Sequence, residues 1–113
     1  MFWPSLTQKM KNYNVRFLPD SLKDIKDARA WYRKKNPDLP IKLKQQLNIT
    51  VEKLCSLPVS HAIRYKDVRI AHLAVFPYSV HYILKGDNIV ILAIYHNAIN
   101  PNKWMERYKN MPK

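Results

Sequence analysis

VRIAHLAVFPYSVHYILKGDNIVILAIYHNAINPNKW, residues Val68 to Trp104, decides the fold. It holds most of the sheet-forming residues, two turn signals and a polar cluster where the last strand ends. Lys85-Gly86-Asp87-Asn88 separates two apolar runs. Gly-Asp suits a type II′ turn, because glycine takes the first turn position at positive φ without steric cost. Tyr78 to Lys85 and Asn88 to His96 therefore read as an antiparallel hairpin. The first run alternates: Tyr78, Val80, Tyr82 and Leu84 share one face, and Ser79, His81, Ile83 and Lys85 the other. The second run, Ile89 to Ile94, is apolar on both faces, as a central strand covered on both sides must be. A two-residue turn pairs Lys85 with Asn88. Counting back, Tyr82 faces Ile91, Tyr78 faces Tyr95, and His96 lies beside Pro77. A preceding strand near Val68 to Ala74 should pair with Tyr78 to Lys85 through a loop longer than two residues.

Outward from this hairpin, Tyr13 to Leu18 alternates and reads as a strand ended by Pro19. Asp20 or Ser21 can cap the helix that follows. Leu22, Ile25, Ala28, Trp31 and Tyr32 recur at helical spacing as its apolar face. Asn36-Pro37-Asp38-Leu39-Pro40 breaks the pattern. A second helix, about Pro40 to Ser56, buries Leu43, Leu47, Val51, Leu54 and Cys55 on one face, and Pro58 closes it. The two helices form an αα-hairpin expected to lie across the sheet. Ser60 to Asp67 reads as a loop or edge strand carrying His61, Arg64, Tyr65 and Lys66. After the sheet, Asn100 can cap and Pro101 can open a short helix to about Lys109. The order is β-α-α-β-β-β-α, an α+β fold. Residues 1–11 are expected to be an N-terminal appendage, with Met10 the expected translation start, and residues 12–113 a single domain.

The chain has 113 residues, enough for one modest core. Lys and Arg number 20 against 8 Asp and Glu, a net charge of +12 that both halves of the chain share. Such a charge favours an anionic partner: nucleic acid, a ribosome or an acidic protein segment. A single cysteine, Cys55, excludes an internal disulfide framework and fits a reducing compartment. No apolar run reaches the roughly 18 residues that span a bilayer, so no membrane partner is expected. His61, His72, His81 and His96 lack metal-ligand spacing, and one glycine excludes a Gly-rich phosphate loop. His72 and His81 could meet across a hairpin. Neither a metal nor another cofactor is expected.

Arg69, Phe76-Pro77-Tyr78, Tyr82, Ile91-Leu92-Ala93-Ile94, His96, Pro101, Trp104 and Arg107, in this order and spacing, resemble the C-terminal half of the ParE/RelE toxin superfamily, and the ParE (plasmid stabilisation) branch more than RelE. The resemblance implies a twisted antiparallel sheet backed by the αα-hairpin, in a growth-inhibiting toxin of a type II toxin–antitoxin module. It implies a bacterial, cytoplasmic protein. It implies a cognate acidic antitoxin as partner, and operator DNA bound through the antitoxin complex.

Three activities follow from it. In the ParE-like one, the chain binds and traps a cellular target, DNA gyrase being the candidate, through Arg64, Lys66, Arg69, Trp104 and Arg107. In the RelE-like one, the chain cleaves mRNA on the ribosome. Cleavage by a ribose 2′-hydroxyl needs a base, cations on the phosphate and an acid for the leaving oxygen. His96 is the natural acid/base, Arg69 a phosphate cation, and Tyr78, Tyr82 or Tyr95 stacking or proton-transfer groups. In the third, the fold is inactive and only binds antitoxin and operator. Many ParE-like sequences carry two basic residues soon after the histidine that matches His96. This chain has Asn97-Ala98-Ile99-Asn100 there, which weakens phosphate handling at that spot.

Overall fold

The computed structural model describes the backbone of residues 9–10 and all of residues 13–111. Strands are β1 (Lys9–Met10), β2 (Tyr13–Phe17), β3 (Ile63–Tyr65), β4 (Val68–His72), β5 (Tyr78–Lys85) and β6 (Asn88–His96); helices are α1 (Pro19–Arg33), α2 (Leu39–Ser56) and α3 (Pro101–Lys109). A 3₁₀ turn, Pro58–Ser60, follows α2. The strands form one sheet in the order β1-β2-β6-β5-β4-β3. The segment expected as an appendage overlaps β1, which pairs with β2; residues 1–8 and 11–12 lie outside the described residues.

The hairpin at Gly86-Asp87 forms as its residues dictate. Gly86 has φ +58 while Asp87 keeps an ordinary negative φ, so only one turn residue needs the left-handed region, as in a type II′ turn. Lys85 pairs with Asn88 and Tyr82 with Ile91. There the expected register stops. A β-bulge intervenes: Tyr82 faces Ile91, but its neighbour His81 faces Ala93. Leu92 is the extra residue. Tyr78 therefore pairs with His96, not with Tyr95 as simple counting requires. The bulge also changes the parity of β6. Ile89, Ile91 and Ile94 join the core under α1 and α2, while Val90, Leu92, Ala93 and Tyr95 join the core of the opposite face.

The sheet is mixed, where the resemblance implied an antiparallel one. β2 and β6 run parallel, with Val15 opposite Ile89 and Phe17 opposite Ile91. The αα-hairpin carries the chain away after β2, and the β4-β5-β6 meander brings β6 back beside it in the same direction. Ile63–Tyr65 is the edge strand, antiparallel to β4. The two-residue turn joining them holds Lys66 at φ +51, a conformation that a lysine adopts at a cost.

On one face α2 buries Leu43, Leu47, Val51, Leu54 and Cys55 as its periodicity requires. In α1, Ile25 and Ala28 are buried, but Leu22 and Trp31 are exposed. The helix starts earlier than a cap at Asp20 or Ser21 would place it, with Pro19 in its first position. Neither Asp20 nor Ser21 caps it; the N-cap residue is Leu18, and the Ser21 hydroxyl donates to the Leu18 carbonyl at 2.7 Å. Ser21 faces inward and Leu22 outward. On the other face α3 lays Trp104 and Tyr108 on Val68, Ile83, Leu92 and Tyr95. Asn100 caps α3, accepting from the Asn102 N–H at 2.9 Å. No residue of α3 is fully buried. Among the described residues no helix is long and apolar enough to cross a membrane.

Candidate functional site

Strand β6 ends at His96, and two concavities meet there. The larger, about 430 Å³, lies between α1 and the end of the sheet and is lined by Asp24, Asp27, Trp31, Tyr78, His96, Ile99 and Arg107 among others. The smaller, about 170 Å³, lies on the α3 face and is lined by Arg64, Ile70, His72, Ser79, His81, Tyr95, His96, Asn97 and Trp104. His96 is exposed and borders both. Its Nδ1 accepts from the Ala98 N–H at 3.0 Å, which leaves the proton of the neutral ring on Nε2. Tyr78, its cross-strand partner, places a ring edge-on to the imidazole at 5.2 Å. Burial raises the Tyr78 phenol above its usual range, and Tyr32 and Asp24 add to that.

Of the other catalytic candidates, Tyr95 lines both cavities with His96, but Arg69 and Tyr82 lie away from it. Arg69 pairs with Tyr82, four residues along β5 from Tyr78, or about 13 Å away at about 3.3 Å per residue. Its Nη1 donates to the His61 carbonyl at 2.6 Å. The Tyr82 side chain is fully buried, and its hydroxyl donates to the Pro58 carbonyl at 2.7 Å. Burial pushes its phenol up to about 12, against a lowering by Arg69. Arg69 and Tyr82 thus tie the turn after α2 to the sheet. Tyr95 lies on the α3 face under Arg107, whose guanidinium sits 4.8 Å from the ring centre. Its burial likewise pushes the phenol up to about 12.

Arg107 is committed to the fold. Its Nη1 and Nη2 donate to the Asp24 carboxylate at 2.6 and 3.0 Å. The same carboxylate accepts from the Ile94 N–H at 3.0 Å. The sequence of elements explains this third bond. β2 accompanies β6 only as far as Ile91, whose carbonyl takes the Leu18 N–H at 3.0 Å before the chain turns into α1. Beyond that point the β6 backbone has lost its strand neighbour, and Asp24 on α1 supplies the missing acceptor. The hydrogen bonds to Asp24 hold the Arg107 proton more firmly than usual. Trp104 stacks on Tyr65 at 5.2 Å and meets His81 edge-on at 4.9 Å. Of the five residues expected to contact a target, Arg64 and Lys66 are the exposed ones, at the β3 edge and its turn.

Hydrogen bonding organises the smaller cavity. The Ser79 hydroxyl donates to Asn97 Oδ1, and His72 Nδ1 lies 2.6 Å from Ser79 Oγ. A hydroxyl has one proton, so His72 Nδ1 is the donor of that pair. His81, buried beside them, shares a 2.8 Å hydrogen bond between its Nδ1 and the Tyr65 hydroxyl. Burial, reinforced by His72, Arg107 and Arg64, pushes its imidazole down to about 3, so it is neutral at physiological pH. His72 and His81 face the same cavity, but no group of three or more His, Cys, Asp or Glu among the described residues is arranged to hold a metal ion. Ser79, Asn97 and Asp24 were not apparent as site residues from sequence. No sequence signal marks them, because what β6 presents at its end is set by the bulge.

Comparison with known proteins agrees with this architecture. No curated protein is significantly similar in sequence to the chain. Among solved structures, the chromosomal ParDE toxin–antitoxin system from P. aeruginosa superposes with a TM-score of 0.67 at 22% identity, over 77% of this chain and 98% of that one. The family model described as the ParE toxin of the type II toxin–antitoxin system parDE matches residues 15–101, from β2 to the first residue of α3. The chain belongs to the ParE toxin family of type II toxin–antitoxin systems.

Proposed function

We propose that this chain arrests growth by binding a cellular target, with DNA gyrase the first to test, and that a cognate acidic antitoxin neutralises it in the bacterial cytoplasm. The observation that carries this reading is the employment of the catalytic candidates in holding the fold. Arg69 and Tyr82 each direct a polar group to a backbone carbonyl. A ribonuclease needs a cation and an acid/base on one phosphate, and Arg69 stands about 13 Å along the sheet from His96. Of the cations expected to meet a target, Arg64 and Lys66 are the ones exposed, at the sheet edge. The net charge of +12 suits an acidic antitoxin segment and operator DNA bound through that complex.

A RelE-like endonuclease is the second reading. What favours it is the smaller cavity, where His96 and His72 share a wall with Arg64. One experiment separates the two. The full chain is induced tightly in cells while RNA integrity, nascent protein synthesis and DNA damage signalling are followed together. Arrest with intact mRNA and raised damage signalling is the expected result. Rapid loss of translation with cleaved mRNA would move the assignment to the endonuclease. Unimpaired growth with abundant folded protein would mean an inactive toxin fold that keeps only antitoxin and operator binding.

A further inference from the structure

Helical spacing places Trp31 on the apolar face of α1, yet it is 53% exposed and lines the larger cleft. Tyr32 holds it there: its ring stands edge-on to Trp31 at 5.0 Å and to Tyr78, which lines the same cleft, at 6.1 Å. Asp27 lies one turn before Trp31 on the same face of the helix. Its side chain is 67% exposed and accepts no hydrogen bond among the described residues. Two lysines of the chain stand near this pair. Lys23 Nζ is 3.8 Å from the Asp27 carboxylate, and Lys35 Nζ is 4.8 Å from the centre of the Trp31 ring. Each lysine engages one member of the pair, and such exposed contacts are weak. Deeper in the cleft the complete arrangement is present. The Arg107 guanidinium takes both oxygens of Asp24 and lies against the Tyr95 ring. A carboxylate beside an aromatic face is thus how this cleft already holds an arginine, and Asp27 with Trp31 repeats it on the outer side. A guanidinium serves both groups at once, because its planar fork meets a carboxylate bidentately while its face stacks on a ring; a lysine ammonium has neither property.

We propose that Asp27, Trp31 and Tyr78 form a docking site for an arginine side chain presented by a protein partner. The cleft volume of about 430 Å³ falls in the roughly 300–1,000 Å³ range of ligand pockets and admits a whole side chain. Its carboxylates repel an acidic antitoxin segment and a nucleic-acid phosphate alike. The net charge of +12 opposes a polybasic partner. The occupant that fits both conditions is a lone arginine on an otherwise neutral or acidic protein surface. Arginine, tryptophan and tyrosine are also the side chains that anchor interfaces most strongly. The inference does not depend on whether the chain traps a target or cleaves mRNA.

The test titrates the full chain with N-acetyl-argininamide at constant ionic strength and follows the indole N–H resonance that Trp31→Phe removes. That resonance should shift and saturate with a Kd on the order of 1 mM, as suits a single side chain. N-acetyl-citrullinamide, which has the same shape without the charge, should move it little. Asp27→Asn changes an exposed side chain and should fold normally. It should weaken binding of the arginine derivative about tenfold, the equivalent of one charge-assisted hydrogen bond. Guanosine 5′-monophosphate is the rival probe, since a base can also stack on an exposed indole. Tighter binding of the nucleotide than of the arginine derivative would make the cleft a nucleobase site and overturn the proposal. So would an indole resonance that stays put, one that moves equally with the citrulline derivative, or an affinity that Asp27→Asn leaves unchanged.

Discussion

Asp24→Ala is the substitution whose cost the structure specifies most fully. The carboxylate accepts three hydrogen bonds, two from Arg107 and one from the Ile94 N–H. The Arg107 and Asp24 side chains are 26% and 14% exposed, so the pair sits between two regimes. Fully exposed pairs contribute about 0–1 kcal/mol, and breaking a fully buried one costs about 3–5 kcal/mol. Removing the carboxylate also orphans the amide of Ile94, a residue that is 3% exposed, and an unsatisfied buried donor costs about 1–3 kcal/mol. The expected loss is about 3 kcal/mol, or about 12 °C in Tm at about 4 °C per kcal/mol for a chain this size. Arg107→Ala leaves the Ile94 bond in place and should cost about half as much. The double variant should be no less stable than Asp24→Ala alone, giving a coupling of about 1.5 kcal/mol. Urea denaturation of the four proteins measures this. Additive losses, or a loss below about 1 kcal/mol for Asp24→Ala, would refute the claim that Arg107 serves the fold. Arg107 would then be free to contact a target.

Three further predictions follow from individual side chains. Burial holds His81 neutral in the folded state with its pKa down at about 3, while in the unfolded chain it titrates near the ordinary histidine value. Below about pH 6.5 the unfolded state binds the extra proton, so stability falls with pH; from pH 7 to pH 5 this residue alone should remove about 2 kcal/mol. His81→Gln should flatten that slope in denaturation curves at the two pH values, and a slope equal to the parent's would show that His81 is not the group responsible. Lys66→Gly should raise stability by about 0.5–1 kcal/mol, because glycine adopts φ +51 without the steric cost that lysine bears; a lower urea midpoint would contradict this. Tyr82→Phe removes the hydroxyl that satisfies the Pro58 carbonyl and should cost about 1–2 kcal/mol, yet leave growth arrest intact at equal levels of folded protein. Complete loss of arrest in a folded Tyr82→Phe protein would return Tyr82 to the catalytic candidates.

Legibility from sequence was uneven, and the reasons are physical. The element order could be read because most boundaries carry a residue with a steric role: Gly86 in the β5–β6 turn, Pro19 and Pro101 at helix starts, Pro37 between the helices and Pro40 in the first turn of α2. The face of α2 could be read because Leu43, Leu47, Val51 and Leu54 hold helical spacing without a conflicting residue. The α1 start was misplaced because Asp20 and Ser21 look like caps, while Pro19 can occupy the first helical turn at no hydrogen-bonding cost. The β3–β4 turn carried no signal, since Lys66-Asp67 contains neither glycine nor asparagine.

The largest miss, the β6 bulge, has a different origin and governs the site. Period-two alternation reveals register only where one face is polar. From Ile89 to Tyr95 every side chain is apolar or aromatic and buried, so a slip of one residue leaves no trace in the pattern. The slip nonetheless decides what the strand presents at its end. It moves Tyr95 to the α3 face and sets His96 opposite Tyr78. It also sends the Ile94 side chain to the face under α1 and α2, while its amide, where β2 has ended, meets Asp24. Without the extra residue, Tyr95 and not His96 would stand beside Tyr78. The resemblance to ParE toxins named His96 and Arg107 as neighbours in a motif. What ties Arg107 to β6 is Asp24, which takes the amide of Ile94, seventy residues later in the chain, where β2 stops short of the bulge.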